Sequence, residues 1–185
     1  MVHDKEFAAY YKQRQAARPL QTAPPAAQAS AQASPRFWGA ELETGIPKLD
    51  AQHRELFRRI ESLGDKPGTG QAAETLDGLG EYAARHFRAE EKVQAAIGYP
   101  EAREHKRLHD GFEQKFLAMK TKVAAAAPDQ RPEAARDLDR ALAGWFRNHI
   151  LARDQDFADY YLKHRRAAGP KRGFFYRLFH PWGRR

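Results

Sequence analysis

The sequence predicts an all-α protein, an up-down-up-down four-helix bundle with an N-terminal linker and a basic, aromatic C-terminal tail. Three observations carry that expectation. Apolar residues recur at alternating steps of three and four in four separate stretches, which is the period of one helix face. Short breaker segments separate the stretches: GDKPGTG at 64–70, GYP at 98–100, and the run between Pro128 and Pro132. Short loops of this kind join antiparallel neighbours. No stretch alternates apolar and polar residues strongly enough to predict a strand.

The 185 residues suit one domain with extensions. Residues 1–17 predict a short helix, and 18–36, RPLQTAPPAAQASAQASPR, a flexible or extended linker. The bundle is expected over 37–162, beginning at Phe37, with the tail over 163–185. Its first seam is Leu49, His53, Leu56, Ile60 and Leu63. The second runs Ala72, Leu76, Leu79, Ala83, His86, Glu90, Val93, Ile97. The third is Ala102, His105, His109, Phe112, Phe116, Met119, Val123, and the fourth Leu138, Leu142, Trp145, His149, Ala152. One further feature lies outside the seams. DKEFAAYY at 4–11 matches DQDFADYY at 154–161 in five of eight positions. Two short helices of similar composition explain it, as does a copy of the fourth helix's end that docks on a neighbour.

Composition narrows the function. Hydrophobic residues make up 42% of the chain, enough for a core, and there is no cysteine, which excludes disulfides and thiolate metal sites. The N-terminus, MVHDKEFAAYYKQRQ, lacks the apolar run of a signal peptide. No stretch approaches the roughly 20 apolar residues of a membrane span. A cytoplasmic protein is expected. The net charge of +8 is local: 163–185 holds eight of the 32 Lys/Arg and no acid, leaving 24 residues of each sign in 1–162. The neutral body gives no reason to expect nucleic-acid binding. Phe174, Phe175, Tyr176, Leu178, Phe179 and Trp182 interleave with the tail's cations. That mixture fits an anionic membrane surface or a membrane enzyme, placing the protein at the periphery of the inner membrane. It also fits packing back onto the bundle.

Each predicted helix carries histidine in its apolar seam, five in all. One buried histidine is ordinarily a core residue with a hydrogen-bond partner. Five imidazoles need five partners or one shared partner, and a metal centre is such a partner. Neutral imidazole suits iron. His86 and Glu90 are four apart, so they share a helix face, as do His105 and His109. His149 and Asp154 are five apart, which in a regular helix turns the carboxylate sideways, as suits a bridging group. Depth agrees. Counted from Tyr99 at ~1.5 Å per residue, both pairs reach overlapping heights of roughly 9–20 Å.

Together WGAELETGIPKLDAQHREL, HFRAEE, GYPEAREHKRLHDGF and WFRNHILARD resemble the hemerythrins, in particular the single-domain bacterial ones. The resemblance covers about two-thirds of the chain, from Phe37 to Leu162. It implies two non-haem iron ions joined by an oxo or hydroxo bridge. His105, His109 and His149 would bind one iron, His53 and His86 the other, and Glu90 and Asp154 both. The first iron would then be six-coordinate and the second five-coordinate, with one position open for dioxygen. The implied function is reversible dioxygen binding for storage, delivery or sensing, and not enzymatic turnover. A di-iron oxidase or peroxidase is the alternative, although catalytic di-iron bundles usually rely on Glu-rich ligand sets. Leu56, Ile60, Phe87, Phe112 and Trp145 would restrict water around the site. The chain departs from the family pattern after HFRAEE, where it reads KVQ, whereas a Leu-Met pair is common nearby in the family. Gln94 there makes the pocket or the helix packing more polar.

Overall fold

The computed structural model describes residues 34–65 and 71–167. The predicted N-terminal helix and linker, the DKEFAAYY copy, most of the GDKPGTG break and the distal tail lie outside the described residues. Within them the protein is helical and has no strand, as the sequence predicts.

A 3-10 turn, Ala40–Leu42, leads into α1, Pro47–Asp65. The approach is held by Asp50, whose carboxylate accepts hydrogen bonds from the Thr44 N–H and hydroxyl, both at 2.7 Å. Gly45 takes φ +79°, a region that non-glycine side chains rarely enter, and so lets the chain turn into the helix. Proline then opens α1, where its missing N–H costs nothing.

The second helix, α2, spans Gln71–Ile97 and ends in a Schellman cap. Gly98 supplies the left-handed residue with φ +65°, and its N–H donates to Ala95 O. The Tyr99 N–H closes the cap by donating to Gln94 O at 2.9 Å. After this turn α3 runs Ala102–Ala125, and α4 runs Arg131–His149 with Pro132 in its first turn. The chain continues without a break through one π-helical turn, Ile150–Asp154, into α5, Gln155–Ala167. These three segments form the fourth rod of the bundle, which extends beyond Leu162. Packing pairs are α1 with α2, α2 with α3, α3 with α4, and α4 with α1, which closes the antiparallel ring.

The interior has three layers along the bundle axis. One apolar cluster holds Leu56, Phe57, Ile60, Leu79, Phe87, Phe112, Leu142, Phe146 and Ile150. A second holds Ile46, Leu49, Val93, Tyr99, Phe157, Ala158 and Tyr161. The first, second and fourth rods contribute buried residues to both clusters, α3 reaches the second only through the partly buried Ala102, and the histidines fall between them: Leu49–His53–Leu56 on α1, for example. The seam positions that sequence assigns to histidine therefore form a polar layer midway along the bundle.

Candidate metal centre

Seven side chains meet in that layer, all essentially without solvent contact: His53, His86, Glu90, His105, His109, His149 and Asp154. Two overlapping sets have their ligand-type atoms within 4.8 Å of one another. Glu90, His105, His109 and His149 form one, and His53, His86, Glu90 and Asp154 the other. The structure thus brings together all seven residues that the sequence singled out. It also divides the imidazoles three and two, with the carboxylates between.

The distances show how the carboxylates span the division. Asp154 Oδ1 lies 3.1 Å from both His105 Nε2 and His149 Nε2, while its Oδ2 lies 3.1 Å from His53 Nε2. Glu90 Oε2 lies 3.5 Å from His109 Nε2, 3.7 Å from His105 Nε2 and 3.9 Å from His86 Nε2. The Nε2 atoms of His105 and His109 lie 2.9 and 3.1 Å from that of His149.

One sequence expectation needs correction here. The five-residue step from His149 to Asp154 was expected to turn the carboxylate sideways, because five residues overshoot one α-helical turn by about 140°. The π turn at Ile150–Asp154 removes the overshoot. Its i→i+5 bonding lets five residues close one turn, seen in the Gln155 N–H donating to Ile150 O. Asp154 therefore faces the same interior as His149 while still reaching His53.

Burial governs the electrostatics. It pushes the imidazoles of His86 and His149 below their ordinary range, and that of His109 down to about 2, with neighbouring histidines adding to the effect for His86 and His109. These rings stay neutral and keep a lone pair available. Burial, with Asp154 and Glu91 nearby, pushes the Glu90 carboxyl well above the carboxylate range. Burial acts the same way on Asp154, but His149 and the close His105 and His53 rings outweigh it and hold the group well below its usual value.

Outward-facing ring nitrogens find partners that the sequence reading did not assign. His86 Nδ1–H donates to Gln52 Oε1 at 3.2 Å, and His109 Nδ1–H donates to Glu91 Oε1 at 3.0 Å. Gln94 places its amide nitrogen 3.0 Å from His105 Nδ1. Position is the only sequence signal for the first two, since Gln52 precedes His53 and Glu91 follows Glu90. Phe87 stacks on His109 with centroids 3.9 Å apart, and Trp145 on His149 at 4.7 Å. Phe112 lies behind these two rings, and Leu56 and Ile60 lie in the adjoining core. Trp38 and Phe157 also approach imidazoles of the layer, His53 at 6.4 Å and His105 at 6.5 Å, and neither stands out in the sequence.

The residues fit a pair of cations. Both oxygens of Glu90 and of Asp154, and both ring nitrogens of His53, are buried without a hydrogen-bond partner of proper geometry. Such atoms carry a desolvation cost that a metal ion removes. The donor set, five imidazoles and two carboxylates with no thiolate, suits iron.

Fold and site together define a four-helix bundle protein with a buried cation-binding layer. Residues 44–161 match the hemerythrin HHE cation binding domain, and the chain belongs to the hemerythrin family. It is 32% identical over 129 residues to a bacteriohemerythrin of Clostridium acetobutylicum, a match covering 66% of this chain and 98% of that one. A bacteriohemerythrin of Stenotrophomonas maltophilia is 30% identical over 125 residues, 66% of this chain and 78% of the relative. A myohemerythrin of Theromyzon tessulatum is 28% identical over 120 residues, 65% and 88% of the two chains.

Proposed function

We propose that this protein binds dioxygen reversibly at a non-haem di-iron centre held by His53, His86, Glu90, His105, His109, His149 and Asp154. The single observation that carries the reading is the three-and-two division of imidazoles around two shared carboxylates. When bound, two ferrous ions with an oxo or hydroxo bridge supply two electrons and one open position for dioxygen.

The chain's own residues do the rest. His105, His109 and His149 would hold one ion, His53 and His86 the other, and Glu90 and Asp154 would contribute to both. Gln52 and Glu91 take the outward protons of His86 and His109, which aims each Nε2 lone pair inward. Phe87 and Trp145 cover two of the ligand rings and limit water.

A histidine-rich set with one free position favours holding dioxygen over consuming it. The role would be storage, delivery or sensing, in the cytoplasm. Residues 37–162 would carry the function and 1–36 would serve as extension and linker. The cations and aromatics of 163–185 would dock on an anionic membrane surface or a membrane enzyme. Among the described residues no helix is long and apolar enough to cross a membrane.

Oxygen uptake by the reduced protein tests the reading. With excess reductant present, one dioxygen per iron pair should be taken up and consumption should then stop. Sustained consumption, or steady removal of added peroxide, would assign an oxidase or peroxidase instead.

A further inference from the structure

The structure assigns Gln94 a role beyond packing, and the inference rests on the di-iron reading above. Gln94 is completely buried, three residues before the end of α2. Its backbone carbonyl is fixed by the Tyr99 N–H in the Schellman cap. That turn brings α3 back alongside it, and His105 stands in the first turn of α3, where its N–H donates to Glu101 O at 2.9 Å. The cap therefore sets the register between the Gln94 amide and the His105 ring.

The Gln94 side-chain amide lies 3.0 Å from His105 Nδ1 through its nitrogen, the donor and acceptor of the contact depending on the ring tautomer, and Gln94 Oε1 has no hydrogen-bond partner. A ring that accepts at Nδ1 carries its proton on Nε2. His105 Nε2 is the atom facing the centre, 3.1 Å from Asp154 Oδ1. In that tautomer the Nε2 lone pair is not free for a metal ion. Metal binding through Nε2 moves the proton to Nδ1, and Nδ1–H then needs an acceptor. A half-turn of the Gln94 side-chain amide presents Oε1 in the place of Nε2. An amide serves both tautomers, whereas the carboxylate of Glu91 serves only the Nδ1–H form of His109.

We propose that Gln94 is a positioning residue for His105, a two-way partner. Its side-chain amide can donate to an unprotonated Nδ1 or, after a half-turn, accept from Nδ1–H, and the accepting form leaves the His105 Nε2 lone pair aimed at the ion.

Iron release to a ferrous chelator, in wild type, Gln94→Met and Gln94→Glu, tests this. Methionine fills similar space without an acceptor, so Q94M should release iron about 10–100-fold faster. Glutamate restores the acceptor, so Q94E should hold iron within a few-fold of wild type. Thermal melting of the metal-free proteins separates folding from metal binding: Q94M should still melt cooperatively, lowered by no more than the loss of one buried hydrogen bond. A second readout is the His105 Nδ1–H proton by NMR in the diamagnetic zinc-loaded protein. It should exchange slowly in wild type and much faster in Q94M. Equal iron release by Q94M and wild type would overturn the proposal. So would loss of iron from Q94E as fast as from Q94M, or unchanged Nδ1–H exchange in Q94M. A wild-type protein that holds no iron would overturn the underlying reading, and this inference with it.

Discussion

Asp154 Oδ1 stands 3.1 Å from His149 Nε2 across a single π-helical turn. The turn absorbs the extra residue of the five-residue step, so the carboxylate stays on the histidine's face and the helix beyond keeps its rotation. Phe157, Ala158 and Tyr161 enter the second apolar cluster on that rotation.

Deleting Arg153 should convert the π turn into regular α-helix, with Asp154 then four residues after His149 and still on its face. Phe157 and Tyr161 would keep their places in the second apolar cluster. We expect metal binding to be retained and stability to stay within about 1 kcal/mol of wild type. Urea unfolding of the metal-free deletion variant and its iron content are the measurements. Loss of iron from a folded variant would mean that the π turn itself, and not the shared face, positions Asp154.

Acidification should destabilise the metal-free protein. His86, His109 and His149 have folded-state values below the ordinary 6.5, so the unfolded chain binds protons that the folded one excludes. Their contribution is present above pH ~6.5 and is lost as pH falls below it. Glu90 works in the opposite sense: raised above its ordinary 4.5, it favours the folded state at low pH and loses that contribution as pH rises past 4.5. Between pH 4.5 and 6.5 three groups oppose one, so stability should rise with pH. Denaturant midpoints at pH 5.5 and 6.5 check the sign. A higher midpoint at pH 5.5 would contradict it.

Trp145 is half-buried and lies nearly parallel to His149, at an interplanar angle of 11°. Trp145→Ala should open this side of the layer to water at a cost of about 3 kcal/mol in stability. The oxygenated protein should then oxidise irreversibly several-fold faster, followed as decay of its visible spectrum. Trp145→Phe should restore most of both properties.

The bundle was legible because its seams are long and regular, and because breakers such as GYP mark the turns. The five histidines that meet in the polar layer were legible for the same reason: histidine at seam positions of all four rods contradicts a purely apolar core. Partners that depend on tertiary approach were not legible. Gln52 and Glu91 lie next to ligands in sequence, but only the packed helices show that they reach His86 and His109. Gln94 was noticed as polar, while its pairing with His105 depends on the cap at Gly98. The π turn was hidden because ILARD contains no glycine or proline to announce it. Only the meeting of His149 and Asp154 reveals it.

A pair of iron ions that binds dioxygen reversibly has a direct signature. Iron content measured with the visible spectrum tests it most directly, taken anaerobically, in oxygen, and again after oxygen is removed. The account predicts two irons per chain and an absorption band that appears in oxygen and disappears when oxygen is withdrawn. No iron after reconstitution, or two irons with no reversible band, would contradict it.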